Sequence, residues 1–160
     1  MNNRTHIEDI GSVLVGSDFV HIWMYGTLDS YRDEKFNKSS IAKFNNLAKK
    51  RIQDLWSEKT KLLGADKHIS KLFDQSLANG FKLGISVVVH RRLPIRDYKN
   101  LVVGFDHAIL DGWVRHKFIK DDSMKYINWS ITQLTKKESE EYTRDMVFIM
   151  MSQSLIPYKG

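Results

Sequence analysis

The chain has 160 residues, of which 42% are hydrophobic and 28% charged, and its formal net charge is +6. Such a chain is too apolar to be disordered and long enough to bury a core, so we expect one domain over residues 1–160. The absence of cysteine excludes disulfides, thiolate nucleophiles and cysteine-ligated metal sites.

The first half of the chain predicts one strand and two helices. Residues 18–26 are rich in β-forming side chains and predict a strand. Residues 41–63 carry apolar side chains at helical spacing and are followed by Gly64, a residue that commonly ends helices. The same pattern predicts a second helix over 66–79, which Gly80 stops.

The second half predicts an antiparallel meander. Its strands are expected at 83–90, 101–110, 113–119 and 124–132. The pair Asp111-Gly112 separates two runs of alternating side chains, which is a strong signal of a β-hairpin.

A long C-terminal helix is expected between Thr135, as its N-cap, and Pro157. The apolar run at 146–151 indicates that this helix is buried against a sheet or a partner. The predicted fold class is therefore α+β, with an antiparallel meander of about four to five strands packed against two central helices and this final helix.

The N-terminal residues lack the apolar core of a signal peptide. No apolar run approaches the about 20 residues that a helix needs to span a membrane. We therefore expect a soluble, cytoplasmic protein that makes no membrane contact.

The predicted hairpin would bring two histidines together. A two-residue turn at Asp111-Gly112 places His107 opposite His116 on a mostly apolar sheet face. Such a pair could shuttle a proton or respond to pH, because imidazole titrates near pH ~6.5. Two histidines without a third ligand make a weak zinc site, so no metal is predicted. The alternative is that both rings are neutral and packed in the core.

The segment 105–113, Phe-Asp-His-Ala-Ile-Leu-Asp-Gly-Trp, contains His-x-x-x-Asp-Gly. It resembles the motif of chloramphenicol acetyltransferases, dihydrolipoyl acyltransferases and peptide-synthetase condensation domains. The resemblance covers about nine residues and implies that His107 is a general base and that Asp111 supports it. In that enzyme hypothesis, His116 or Asp106 would assist His107.

A second resemblance concerns Asp106 and the triplet Arg115-His116-Lys117. Their spacing looks like the Asp…Glu-x-Lys core of many endonucleases, which is also built on a hairpin. Arg115 stands where those enzymes have a metal-binding glutamate. A cation there removes a Mg²⁺ ligand and repels the ion, so this departure argues against nuclease activity.

The leading functional prediction is a non-enzymatic regulatory or interaction protein without a cofactor. The helix at 66–79 and the strand after it are similar in layout to the autoinducer-binding domains of LuxR-type regulators, which enclose an acyl lactone. The aromatic content predicts either a protein-partner surface or a small apolar ligand pocket. The residues expected to line it are Phe105, Phe118, Trp113 and Trp129. The apolar final helix makes a homodimer a candidate assembly.

The alternative partner is a nucleic acid. The loop 90–99 clusters four cations around a proline and a tyrosine, and these are Arg91, Arg92, Arg96 and Lys99. With the basic residues at 49–51, they could contact phosphates. Asp121 and Asp122, further along the chain, are read as turn residues.

Overall fold

A computed structural model describes residues 3–28, 42–134 and 144–159, with the backbone alone over 42–46. The strands are β1 (Asn3–Ile7), β2 (Gly11–Val15), β3 (Phe19–Tyr25), β4 (Phe81–His90), β5 (Ile127–Leu134) and β6 (Met146–Pro157). The helices are α1 (Ala42–Leu62), α2 (Asp66–Ala78), α3 (Tyr98–Phe105), a π turn (Asp106–Leu110) and α4 (Asp111–Arg115). The last three follow one another without interruption and form the helical segment 98–115.

The described strands form one mixed sheet in the order β1-β2-β3-β6-β4-β5. Among the described strands, only β4 and β5 pair in parallel, and the helical segment 98–115 lies between them in the chain. Strand β6 occupies the middle of the sheet, where Ile149 pairs with Ile22 of β3 on one side and with Val87 of β4 on the other. The α+β class is therefore confirmed.

The helices cover one face of the sheet. Alternate strand residues that point to that face are buried, among them Ile22, Val87 and Ile149. The helices contribute Ile69, Phe73, Phe105, Ile109 and Trp113 to the same core cluster. The opposite sheet face is open, because its residues Ser86, Ser130 and Thr132 are exposed.

Several predicted elements are confirmed. The expected helices at 41–63 and 66–79 correspond to α1 and α2, and Gly64 and Gly80 follow them with φ values of 72° and 89°. Strands β3, β4 and β5 lie close to the expected positions 18–26, 83–90 and 124–132. No helix within the described residues is long and apolar enough to cross a membrane.

The predicted hairpin at 101–119 is wrong, because this region is the helical segment 98–115. Asp97 begins it by accepting a hydrogen bond from the Lys99 amide at 2.9 Å. Gly112 does not turn the chain. A Cβ at Gly112 would lie 3.0 Å from Ser57 Oγ and 3.1 Å from Gln53 Cβ, so the glycine permits close packing of α4 on α1.

The predicted C-terminal helix is also wrong over the described residues 146–157, which form β6. The apolar run at 146–151 is typical of a central strand as well as of a buried helix, and periodicity alone does not separate the two. The expected N-cap Thr135 lies outside the described residues. Within the described residues, the strands that form a meander are β1, β2 and β3, and the sequence patterns did not predict β1 or β2.

Candidate functional site

The helical segment 98–115 changes its pitch at the π turn. The amide of Asp111 donates a hydrogen bond to the carbonyl of Asp106, five residues earlier. In a regular α-helix, residues five apart point about 140° away from each other. The wider π turn reduces that angle, and so Asp106 and Asp111 extend toward the same side of the segment.

A third carboxylate completes a cluster at this position. Asp122 comes from the connection between α4 and β5, and its side chain hydrogen-bonds with those of Asp106 and Asp111. One carboxylate oxygen from each residue lies within 4.8 Å of the other two. All three side chains are half-buried. We call Asp106, Asp111 and Asp122 the carboxylate cluster.

The surroundings raise the pKa values of two carboxyl groups of the cluster. Burial raises the pKa of Asp106 to about 6, and the charge of Asp122 adds to this shift. Burial likewise raises the pKa of Asp111 to about 7, with further contributions from the hydrogen bond to Asp122 and from the charge of Asp106. The cause is that three carboxylates with little water around them cannot all ionise at low energetic cost.

One cation faces the cluster from α1. Lys49 Nζ lies 3.6 Å from Asp111 Oδ2, and both side chains are about one-third exposed. The positive charge of Lys49 lowers the pKa values of Asp106 and Asp111, opposing the effect of burial. One ammonium group cannot neutralise three carboxylates, so the fully ionised cluster would carry excess negative charge.

His107 follows Asp106 in the π turn. Burial lowers the pKa of its imidazole, with the charge of Lys49 adding to the shift and that of Asp122 opposing it. The ring is therefore neutral at neutral pH. Gln53 of α1 donates from Nε2 to the His107 carbonyl at 2.9 Å and so holds the π turn against α1.

His116 has a different environment. Its Nε2 lies 2.8 Å from Asp54 Oδ1, and Arg115 also donates to Asp54. These hydrogen bonds lower the pKa of Asp54. The predicted cross-strand pairing of His107 with His116 is wrong, because His107 lies in the π turn and His116 directly follows α4, so neither residue belongs to a strand. Arg115 also donates from Nε to Gln53 Oε1 at 3.1 Å, which links the two environments.

The aromatic residues expected to line a ligand pocket pack mainly in the core. The side chains of Phe105 and Trp113 are fully buried, and Phe118 is 5% exposed. Trp129 is half-buried, with its ring centroid 5.0 Å from that of Phe105. These contacts join the helical segment to β5.

The basic loop lies at the other end of α3 from the carboxylate cluster. Arg92, Arg96 and Lys99 are exposed there. The Arg91 side chain donates to the Leu93 carbonyl, and the Arg92 amide donates to Asp145 Oδ1 at 2.8 Å. The structure thus places these four cations at one end of the sheet, where β4 ends.

Sequence reasoning missed the cluster as a unit. Asp106 was expected to assist catalysis, Asp111 to turn the chain or support His107, and Asp122 to turn the chain. Lys49 was grouped with the basic residues at 49–51 as a candidate phosphate contact. The available signal was the density of aspartates between 106 and 122 in a basic chain, but their convergence depends on the π turn.

In comparisons with known proteins, no family model, no curated protein and no solved structure matches this chain.

Proposed function

We propose that the protein binds a divalent cation at the carboxylate cluster and acts on a phosphate-bearing polymer, a nucleic acid. The observation that carries this proposal is the convergence of three carboxylate oxygens within 4.8 Å. Carboxylates are the ligands preferred by Mg²⁺, Mn²⁺ and Ca²⁺. Arg115 stands where the endonucleases have a metal-binding glutamate. The carboxylate cluster provides acidic ligands at a different position.

The energetic cost of the cluster supports a functional role. Burial and mutual repulsion raise the pKa values of Asp106 and Asp111, which means that the ionised carboxylates destabilise the fold. Perturbed carboxylates and π turns both concentrate at functional sites. A divalent cation would replace the shared protons and neutralise the excess negative charge.

The charge of the chain supports a nucleic acid as the ligand. The formal net charge is +6, and Arg92, Arg96 and Lys99 are exposed at the far end of α3. α3 has eight residues, so at about 1.5 Å per residue it separates the basic loop from the cluster by roughly 12 Å. A polymer with repeated phosphates could contact both, whereas a single phosphate could not.

A bound cation would stabilise charge on phosphate oxygens and lower the pKa of a water molecule. His107 is neutral at neutral pH and adjoins the cluster, so its imidazole can accept a proton. Lys49 would provide positive charge toward the phosphate from α1. These roles make phosphodiester hydrolysis the reaction that fits the residues best.

The test measures cation binding and cleavage separately. Isothermal titration with Mn²⁺ and Mg²⁺ should show one site in the unmodified protein and at least a tenfold weaker site in Asp122→Asn. The matched control Asp74→Asn changes an exposed aspartate on α2 and should bind like the unmodified protein. Labelled single- and double-stranded DNA should be cut with Mn²⁺ and not with chelator.

Equal cation affinity in Asp122→Asn and Asp74→Asn would overturn the metal assignment. Cation binding without nucleic-acid binding or cleavage would overturn the assigned substrate. Cleavage that persists in chelator but is lost in His107→Ala would favour proton transfer by the protein alone, as in the acyltransferase-like alternative.

A regulatory or interaction role stays a prediction beside this proposal. The aromatic residues first assigned to a ligand pocket lie mainly in the core, but a different apolar surface occupies the open sheet face.

A further inference from the structure

The side of the sheet opposite the helices carries a group of aromatic rings. Strand pairing places Trp23 of β3 beside Phe148 of β6, and their ring centroids are 4.4 Å apart. The His21 ring lies 5.9 Å from that of Phe148, and Phe19 extends the group with its centroid 4.7 Å from His21. All four side chains are half-buried, so each keeps part of its surface exposed on this face.

The charged side chains that the described strands direct to this face are cations. Arg4 of β1 pairs with Leu14, which pairs with His21, so Arg4 lies in the same row as the histidine, and it is exposed. Lys82 follows the alternation of β4 onto the same face, where its ammonium group donates to the Met124 carbonyl.

Acidic side chains are excluded from the sheet. The chain has 19 Asp and Glu residues, and none of them lies in a described strand. Burial does not explain this exclusion at the open face, because several of its positions are exposed and carry uncharged polar side chains, namely Ser86, Asn128, Ser130 and Thr132. The described strands therefore offer aromatic rings and positive charge on this face, and no carboxylate that would repel a polyanion.

A further cation lies at one end of the face. Arg92 is two residues beyond the end of β4, and its side chain is exposed. Its amide donates to Asp145 Oδ1 at 2.8 Å, which holds the loop beside the start of β6. At about 3.3 Å per residue along a strand, Lys82 and Arg92 are roughly 30 Å apart. A polymer with repeated negative charges can follow that length, whereas a single anion cannot.

We propose that the open face binds single-stranded nucleic acid, with bases stacked on Trp23 and Phe148 and phosphates contacting Arg4 and Arg92. Unpaired bases present their flat faces to aromatic rings, whereas bases in a duplex stack on one another and present only their edges. The major groove of a duplex admits a helix or a two-stranded ribbon, which is narrower than this sheet. The proposal rests on the proposed function for its ligand class, but it uses no residue of the carboxylate cluster.

A second copy of the chain is the less favoured occupant. A two-fold contact places the same surface on both copies. Arg4 and Lys82 of both copies would then enter one interface, to which the described strands bring no acid that could pair with them. A nucleic acid supplies the missing negative charge with its phosphates.

Fluorescence anisotropy in chelator tests the proposal. The probes are labelled oligothymidylate and oligouridylate of about 12 nucleotides, and a DNA duplex of the same length. The single strands should bind about tenfold more tightly than the duplex, and Trp23→Ala should weaken their binding about tenfold because a stacking surface is lost. Trp23→Phe keeps a ring and should restore most of the affinity. The tighter of the two single strands identifies DNA or RNA as the ligand.

A second substitution keeps the test independent of the folding of Trp23→Ala. Ser86→Glu places a negative charge at an exposed position of the face and should weaken binding several-fold. The matched control Gln75→Glu adds the same charge at an exposed position of α2, on the helical side, and should bind like the unmodified protein. Equal losses in these two variants would overturn the proposal, and so would equal affinity for the duplex or no binding of either single strand.

Three further outcomes separate this proposal from its alternatives. A loss in Tyr98→Ala with none in Trp23→Ala would overturn it and place the contact at the basic loop. A dimer that Ser86→Glu dissociates, without oligonucleotide binding, would assign the face to a second copy. Single-strand binding that persists in a protein without a Mn²⁺ site would support this proposal and overturn the proposed cation site. Duplex cleavage with Mn²⁺ by a protein that binds neither single strand would do the reverse.

Discussion

Asp106 and Asp111 are five residues apart in the chain, and their carboxylates face the same space because the Asp111 amide bonds to the Asp106 carbonyl in a π turn. The backbone departs from regular helical pitch at the point where acidic side chains accumulate. This coincidence links a local irregularity to a site with unusual electrostatics.

Asp111→Asn should stabilise the protein at high pH. Burial raises the pKa of Asp111 in the folded protein to about 7 from its ordinary value of 3.8, so the unfolded chain releases this proton at lower pH. Stability is therefore lost as the pH rises from about 4 to about 7, and the full penalty remains above that range. We expect a gain of about 2–4 °C in thermal midpoint near pH 8 and almost none near pH 4.

The control for Asp111→Asn is Asp74→Asn, which removes an exposed negative charge remote in sequence from the cluster. A gain from Asp111→Asn that is equal at both pH values would contradict a burial-raised pKa. If Asp74→Asn raises the thermal midpoint equally, the effect comes from net charge alone.

Cation stabilisation should itself depend on pH. Protons and a divalent cation compete for the same oxygens of Asp106, Asp111 and Asp122, so the apparent affinity should rise as the pH increases through about 6 to 7. Titration with Mn²⁺ at several pH values, in buffers that do not bind metal, measures this slope. A flat profile would mean that the cation binds elsewhere.

Gln53→Leu should destabilise the protein by about 0.5–1.5 kcal/mol, because it removes the hydrogen bonds that a buried side chain of α1 makes to the π turn and to Arg115. Gln53 donates to the His107 carbonyl and accepts from Arg115, and its side chain is 5% exposed. Chemical denaturation measures the change. Gln75→Leu, at an exposed position on α2, is the comparison and should have little effect.

Two buried helix serines should respond differently to replacement by alanine. Ser76 Oγ donates to the Leu72 carbonyl at 2.8 Å, whereas Ser57 Oγ has no hydrogen-bond partner within the described residues. Ser57→Ala should be neutral or stabilising, because it removes an unpaired buried hydroxyl. Ser76→Ala should cost about 0.5–1.5 kcal/mol. Equal losses in urea denaturation would show that Ser57 is paired in solution.

Asp54→Asn should weaken the contact between α1 and α4 slightly. Hydrogen bonds from His116 and Arg115 lower the pKa of Asp54, so its contribution is present above the unfolded pKa and is lost as the pH falls through the folded value. Its side chain is 49% exposed, so the effect at neutral pH should stay below about 1 kcal/mol. Thermal melts at low and high salt measure it, and a loss that salt does not reduce would argue against an ionic contact.

Local patterns predicted the elements whose signals are local. α1 and α2 combine helical spacing with glycines that end them, and both signals act within a few residues. β4 is rich in β-branched side chains, as a buried strand should be. These features do not depend on what packs nearby.

Nonlocal packing decided the elements that were predicted wrongly. Val103, Phe105, His107 and Ile109 alternate as in a strand, but burial in the structure follows helical spacing through Leu101, Phe105 and Ile109. The apolar run at 146–151 became a strand because β3 and β4 flank it. No local rule places Asp122 beside Asp106, since their proximity requires the helix, the π turn and the following connection together.

The position of β6 has a consequence for how the sheet is assembled. β6 comes after the other described strands, and within the described residues its hydrogen bonds alone connect β1–β3 to β4–β5. During synthesis, two incomplete sheets with unpaired inner edges must therefore wait for β6. Such late, long-range pairing slows folding and exposes edges that can aggregate. Until β6 has been synthesised, the edges of β3 and β4 that it covers therefore stay without their strand partner.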